Sequence, residues 1–285
     1  MVLDSDNESS WSVDARLQNF PSEDQIRFYR QQGFLVIRNL INEQESGILS
    51  DGTAKLISRA IQDCDDEDYY YKRHKSTGKT VPYRIDDLTD KLECCKGLLG
   101  HPSILRAIAS LQGANFFPLW DNMVFKLPQG GAGHSWHRDA VPYWNAQSDI
   151  EVGAVVSGIY LDAADLTNCL WVIPGSHYWA DDRMPTAGEF VSDCDGAIPI
   201  PVQAGDAILH NVLTFHASAP SQRSLRRVIY FLFRQIAPDW LRDSRMIETI
   251  TPKQQAVIES IRLRSTLEVR DADRFQYTCL SAYHS

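Results

Sequence analysis

The chain has 285 residues, 44% of them hydrophobic and 23% charged, which is enough to bury one large core. A net charge of −9 with no dominant basic stripe argues against a nucleic-acid groove, whose affinity would rest on clustered Lys and Arg. No N-terminal apolar signal region and no apolar stretch long enough for a bilayer is visible, and the six cysteines show no Cys-x-x-Cys spacing, so a cytoplasmic protein with free thiols is expected.

In chain order, the first readable element is a helix opened by the capping-box pattern Ser22-Glu23-Asp24-Gln25, with Ile26, Phe28 and Tyr29 on its apolar face and Gly33 at its end. Phe34-Leu35-Val36-Ile37 then reads as a buried strand. Helices are predicted over about Glu43–Ile61 and Pro102–Leu111, the second with Ile104, Leu105, Ile108 and Leu111 on one side. Between them, the acidic run Asp63, Asp65, Asp66, Glu67 and Asp68 leads into Lys72, Arg73, His74, Lys75, Lys79 and Arg84. This stretch reads as a solvated loop of mixed charge; its functional alternative is a clamp for an anionic substrate group, a carboxylate or the phosphates of an acyl-CoA.

From Phe116 the pattern changes to short strands separated by Gly, Pro and Asn: Trp120–Leu127, Val152–Leu161, Leu170–Ile173, Ala207–Asn211 and Val228–Gln235. A β-rich middle behind a helical first third suits a double-stranded β-helix, a cupin-like jelly roll that is mostly β with flanking helices. The tail from Pro252 to about Leu263 reads as a helix within a C-terminal extension, 238–285.

Chemistry is concentrated in His137-Arg138-Asp139 and, much later, His216. Two histidines and one carboxylate can hold one face of Fe(II) and leave the other open. In an extended segment His137 and Asp139 project to one side and Arg138 to the other. An isolated His-x-Asp triplet is also compatible with a surface His and a turn Asp, so the surrounding sequence must decide. His210 and His177 are rivals for the third ligand, and His134 could share a side with His137 only in a helix, which Gly130, Gly131 and Gly133 disfavour.

The run Asn168-Cys169-Leu170-Trp171-Val172-Ile173-Pro174-Gly175-Ser176-His177 resembles the strand and turn that follow the first two ligands in the phytanoyl-CoA dioxygenase family. Gly205-Asp206-Ala207-Ile208-Leu209-His210, leading to His216-Ala217-Ser218-Ala219-Pro220 and Arg227, is similar to that family as well. With the helix and strand over Gln25–Asn39, the resemblance spans roughly 20–237, and a single catalytic domain over 1–285 is expected. It implies Fe(II) bound by His137, Asp139 and His216, with His210 a core or supporting histidine.

By the same resemblance, 2-oxoglutarate and O2 are co-substrates, and decarboxylation of the first to succinate accompanies oxidation of an unactivated C–H bond. Arg227 occupies the position of the family arginine that grips the distal carboxylate, a task suited to the guanidinium fork. Arg226, by the period of two, would point away and be exposed. Ser218 matches a family hydroxyl that supports the co-substrate. Where the family commonly has Asn-Gly this chain has Thr167-Asn168, and Thr167 is a further candidate to face the co-substrate. Asp139 itself sets the chain apart from related halogenases, which carry a small residue there.

For the substrate, Trp120, Met123 and Phe125 on the preceding strand and Tyr143 and Trp144 after the triad are candidate pocket residues, although core packing explains the same aromatic content. The connection Tyr178–Ala197 is a candidate lid. The expectation is a dioxygenase hydroxylating a free small molecule in specialised, natural-product metabolism, with no nucleic-acid or membrane partner and a homodimer left open. Alternatives are an acyl-CoA hydroxylase of the same family, or a 2-oxoglutarate-independent metal enzyme on the same jelly roll.

Overall fold

The computed structural model describes residues 11–15, 20–62, 66–73, 78–128, 133–139, 154–180, 183–185, 191–221, 223–267 and 275–277. In chain order its strands are β1 (Ser12–Asp14), β2 (Phe34–Arg38), β3 (Tyr69–Arg73), β4 (Thr80–Asp86), β5 (Phe116–Lys126), β6 (His134–His137), β7 (Ala154–Tyr160), β8 (Leu170–Val172), β9 (Ile198–Ile200), β10 (Ala207–Asn211), β11 (His216–Ser218) and β12 (Arg226–Gln235). The α-helices are α1 (Glu23–Gln32), α2 (Glu43–Ile61), α3 (Leu88–Lys91), α4 (Glu93–Leu99), α5 (Pro102–Gln112) and α6 (Ser244–Arg264).

The capping box forms as predicted: Ser22 Oγ accepts from the Gln25 backbone N–H, and Gln25 Oε1 accepts from that of Ser22 at 2.7 Å. Gly33 ends α1 in the left-handed region at φ 83°. A β-carbon there would stand 2.3 Å from Thr214 Oγ1 and 2.6 Å from His177 Nδ1, so glycine is required by both conformation and space.

An eight-stranded sheet of order β1-β2-β10-β7-β12-β5-β4-β3 faces a four-stranded sheet of order β6-β11-β8-β9. Only the β1–β2 pairing is parallel among the paired strands described. Strand alternation sorts the core into two layers. Leu35, Ile37, Met123, Phe125, Ile159, Ile229 and Phe231 face outward, against Leu49 and Ile57 of α2 and Ile104, Leu105 and Ile108 of α5. Phe34, Val36, Tyr160, Ile208 and Val228 face inward, against Leu170, Val172, Ile198 and Ile200 of the small sheet. The fold is therefore a jelly roll, mostly β with flanking helices.

Two segments depart from the sequence reading. The charged stretch expected to be a solvated loop forms the hairpin β3–β4, which joins the large sheet through Arg84↔Val124, Ile85↔Met123 and Asp86↔Asn122. The strand signal was the apolar alternation Val81, Tyr83, Ile85, diluted by charge. The C-terminal helix begins at Ser244, not Pro252: Asp243 caps it by accepting from Arg245 N at 3.0 Å, and Pro252 lies inside it. Burial of Ile250 and Val257 against the barrel offsets the backbone hydrogen bond that proline cannot make.

At the far end of α6, the buried Arg264 guanidinium donates to both oxygens of buried Glu45 on α2, at 2.6 and 3.0 Å. Removing one partner leaves an unpaired buried charge. Glu45→Ala is therefore expected to cost about 3–5 kcal/mol in urea denaturation, and the double replacement of Glu45 and Arg264 by Met to cost much less.

Candidate active site

The two sheets converge on the triad through β6 and β11, where His137 lies opposite His216. The next register pair is His134↔Ser218, so three steps along β6 match two along β11. This bulge places both His134 and His137 on the cavity, while Trp136 between them packs outward with Ile173, Phe215 and Ala217. A helix is thus not the only way for His134 to join His137, as the sequence had suggested.

Metal-binding atoms of His137, Asp139 and His216 lie within 4.8 Å of one another. His137 Nδ1 is 2.7 Å from the Ser135 carbonyl and His216 Nδ1 is 2.9 Å from the Thr214 carbonyl. Donation from Nδ1–H to these carbonyls leaves each Nε2 lone pair free to bind a metal. The two Nε2 atoms are each 3.6 Å from an Asp139 oxygen. Asp139 is placed by its own backbone N–H, which donates to the Val212 carbonyl at 3.0 Å.

Burial, then the neighbouring His216, pulls His137 down to about 4, and burial likewise lowers His216. Against the upward push of burial, His216, His210 and His137 hold the Asp139 carboxyl well below the usual carboxylate range. At neutral pH the site thus offers two neutral imidazoles and one carboxylate, the protonation states that ferrous iron requires. His210 is not in this cluster; its Nε2 lies 3.0 Å from Asp139 Oδ2. A partner of that kind orients a ligating carboxylate, so His210→Phe is expected to weaken Fe(II) or Co(II) binding about 10–100-fold in a direct titration without changing the ligand set.

The triad opens into a cavity of about 180 Å³ whose walls include Trp120, Asn122, Val124, Ser218, Arg226 and Tyr230. Here the structure corrects four expectations. Arg227 does not reach the cavity: it faces α2, where its Nε and Nη2 donate to Asp162 at 2.9 and 2.8 Å and its Nη1 to the Ser50 carbonyl at 3.0 Å. Arg226, expected to be exposed, is the arginine on the cavity and is only 2% exposed. The cause is register: Arg226 pairs with Lys126 and shares its inward side with Val228 and Tyr230. Met123 and Phe125 likewise face the helices, and their neighbours Asn122 and Val124 face the cavity.

Thr167 is exposed in a turn, its Oγ1 donating to Asp165 Oδ1 at 2.6 Å, away from the cavity. Trp120 and Ser218 do line the cavity. Tyr143 and Trp144 lie outside the described residues. The described parts of the Tyr178–Ala197 connection are not part of the cavity wall; Trp179 and Cys194 pack on the outer side of the small sheet with Trp136 and Phe215.

Arg226 Nη2 donates to the Tyr160 hydroxyl at 3.1 Å, with the guanidinium carbon 5.2 Å from that ring's centre. Its Nε is buried without a partner, and no carboxylate pairs with it among the described residues. Gly158 makes room beside it, since a β-carbon there would be 2.6 Å from Cε1 of Tyr230. Asn122 and Tyr230 were not singled out in the sequence, and Arg226 was assigned to the wrong face; the signal available was their alternation with the outward set Met123, Phe125, Ile229 and Phe231.

The sequence profile of phytanoyl-CoA dioxygenase matches residues 29–228, a span that contains every one of these cavity residues except Tyr230. The chain belongs to the phytanoyl-CoA dioxygenase family. It is similar to the methylphosphonate hydroxylase of Gimesia maris, 23% identical over 228 residues that cover 78% of this chain and 84% of that one. It is also similar to a probable alpha-ketoglutarate-dependent hypophosphite dioxygenase of Stutzerimonas stutzeri, 24% identical over 233 residues, covering 76% and 79% of the two chains. Among solved structures, AviO1 from Streptomyces viridochromogenes Tue57 superposes with a TM-score of 0.63 at 25% identity, covering 78% of this chain and 98% of that one. As a member of this family the chain is an Fe(II)- and 2-oxoglutarate-dependent dioxygenase. No described helix is long and apolar enough to cross a membrane.

Proposed function

We propose that His137, Asp139 and His216 hold the iron, that Arg226 grips the distal carboxylate of 2-oxoglutarate, and that the cavity beside them takes a free small molecule for C–H oxidation. The observation that carries this reading is the buried Arg226 cation, which has a tyrosine hydroxyl but no carboxylate as partner among the described residues. A buried guanidinium without a counter-charge is costly, and a dicarboxylate co-substrate supplies one. When bound, iron and 2-oxoglutarate supply the oxidising power of O2, with the co-substrate decarboxylated to succinate.

The chain's own residues position and shield. Ser135 and Thr214 carbonyls fix the two imidazoles, and His210 fixes the carboxylate. Tyr160 holds one edge of the Arg226 fork and so limits the rotamers the guanidinium samples before it would meet a carboxylate. Ser218, 4% exposed at the end of β11, offers a hydroxyl on the same wall. Val124 and Leu170 supply apolar wall that keeps water from the oxidant.

A free small substrate is favoured over an acyl-CoA by the cavity of about 180 Å³ and by relatives named for methylphosphonate and hypophosphite, both small anions. The tie between α2 and α6 through Glu45 and Arg264 supports one catalytic domain, and the free thiols of Cys94, Cys95, Cys169 and Cys194 support a cytoplasmic setting. Anaerobic Fe(II) titration with and without 2-oxoglutarate tests the reading. The visible charge-transfer band of the chelate is expected only when both are present, and its absence would leave a metal enzyme that does not use this co-substrate.

A further inference from the structure

The cavity holds one more cation than iron and co-substrate chemistry requires. A ferrous ion and Arg226 together balance Asp139 and the dianion 2-oxoglutarate. Arg84, also on the wall, is cancelled by Asp86, to which its Nη2 donates at 2.8 Å. Lys126, behind the wall, gives its Nζ to the Ala219 carbonyl, and burial and then Arg226 push it toward its neutral form. Lys72 remains. Its Nζ sits 4.3 Å from the centre of the Tyr83 ring and has no carboxylate partner among the described residues.

Two further polar groups line the cavity. Asn122 is 3% exposed, faces the cavity, and has its Oδ1 buried with no hydrogen-bond partner. His134 is brought to the cavity by the β6 bulge and lies against Tyr83, with 5.6 Å between ring centres. Lys72 and Tyr83 come from the β3–β4 hairpin, His134 from the strand that carries His137, and Asn122 from β5. Three separate elements therefore converge beside the iron ligands.

We propose that Lys72, with His134 beside it across the Tyr83 ring, forms a second anion subsite that takes an oxyanion group of the substrate, a phosphonate or a carboxylate. The assignment rests on the oxygenase reading above, in which Arg226 is already committed to 2-oxoglutarate. The Tyr83 ring holds the ammonium over its face, and the imidazole N–H of His134 supplies a neutral donor to a remaining anion oxygen. Burial, followed by the nearby Arg84, pushes the Lys72 pKa down, the direction expected of a cation held in advance of its counter-charge. An anchor of this kind orients a small substrate so that one particular C–H bond meets the oxidant.

The test is calorimetric titration of the full chain, loaded anaerobically with Fe(II) and 2-oxoglutarate, using methylphosphonate, butyrate and the neutral butyramide. At least one anion is expected to bind, with butyramide at least about tenfold weaker, and whichever anion binds tighter identifies the group. Lys72→Met is expected to weaken that anion about tenfold or more while leaving 2-oxoglutarate affinity unchanged, and Lys72→Arg to retain most of it. Failure of both anions to bind, equal binding of butyramide, an unchanged anion affinity in Lys72→Met, or parallel loss of anion and 2-oxoglutarate affinity would each overturn the subsite. Failure of 2-oxoglutarate to bind the wild-type chain, seen before any analogue is added, would overturn the oxygenase reading beneath it.

Discussion

Arg226→Ala is expected to weaken 2-oxoglutarate binding roughly ten- to a hundredfold, whereas Arg227→Ala leaves it unchanged and destabilises the fold. A charge-assisted pair between a guanidinium and a carboxylate contributes about 1.5–3 kcal/mol, which sets the first figure. Arg226 is buried on the cavity and no carboxylate pairs with it among the described residues, so its loss removes a cation that a dicarboxylate ligand would neutralise. Arg227 is committed elsewhere, to Asp162 through two hydrogen bonds and to Ser50 and Thr53 of α2. Cutting it removes the charge partner of Asp162, which keeps the Arg227 backbone N–H as a donor at 2.8 Å, and detaches α2 from β12; Asp162 is 23% exposed, so water recovers part of the loss and a cost of about 2–3 kcal/mol is expected. Co-substrate titration and urea denaturation of both variants separate the two roles. Equal effects on 2-oxoglutarate affinity would return the anchoring role to neither residue.

Removing a ligand should have the larger effect on turnover. His137→Ala and His216→Ala are each expected to abolish Fe(II) binding at micromolar metal and with it all oxidation, because a facial site with two ligands left no longer fixes the ion. The fold should survive, since β6 and β11 belong to the four-stranded sheet while the main core lies between the eight-stranded sheet and the helices. Metal titration followed by thermal melting of the metal-free variants checks both halves. Retained iron binding in His216→Ala, with His210 taking over beside Asp139, would show that the third ligand is interchangeable.

Much of this was legible in residue order. Ser22 and Gln25 specify the start of α1 and Gly33 its end because caps are local interactions, satisfied within a few residues. The boundaries of α2 and β10 could be read from periodicity alone, as could the buried strand at β2, since each has one dominant apolar pattern. The triad types and their order also stand in the sequence, and the resemblance around Asn168–His177 and Gly205–Pro220 pointed to the family that the profile over 29–228 shows.

What the chain could not announce locally was which side of a strand faces the cavity. On β12, Arg226, Val228, Tyr230 and Leu232 alternate with Arg227, Ile229, Phe231 and Phe233, so both sides carry apolar residues and an arginine, and a one-residue choice inverts every assignment. Pairing with β5 and β7 decided it, and the same pairing turned Met123 and Phe125 to the helices and Asn122 to the cavity. The β6 bulge that admits His134 and the hairpin that brings Lys72 to the cavity are likewise products of long-range pairing. The sequence by itself determined the family, the fold class and the residue types of the His137, Asp139 and His216 cluster, because these rest on residue identity and local pattern. The tertiary structure alone decided which arginine faces the cavity and which residues wall it, because strand facing is set by partners distant in the chain and by the cores that form on each side of the sheet.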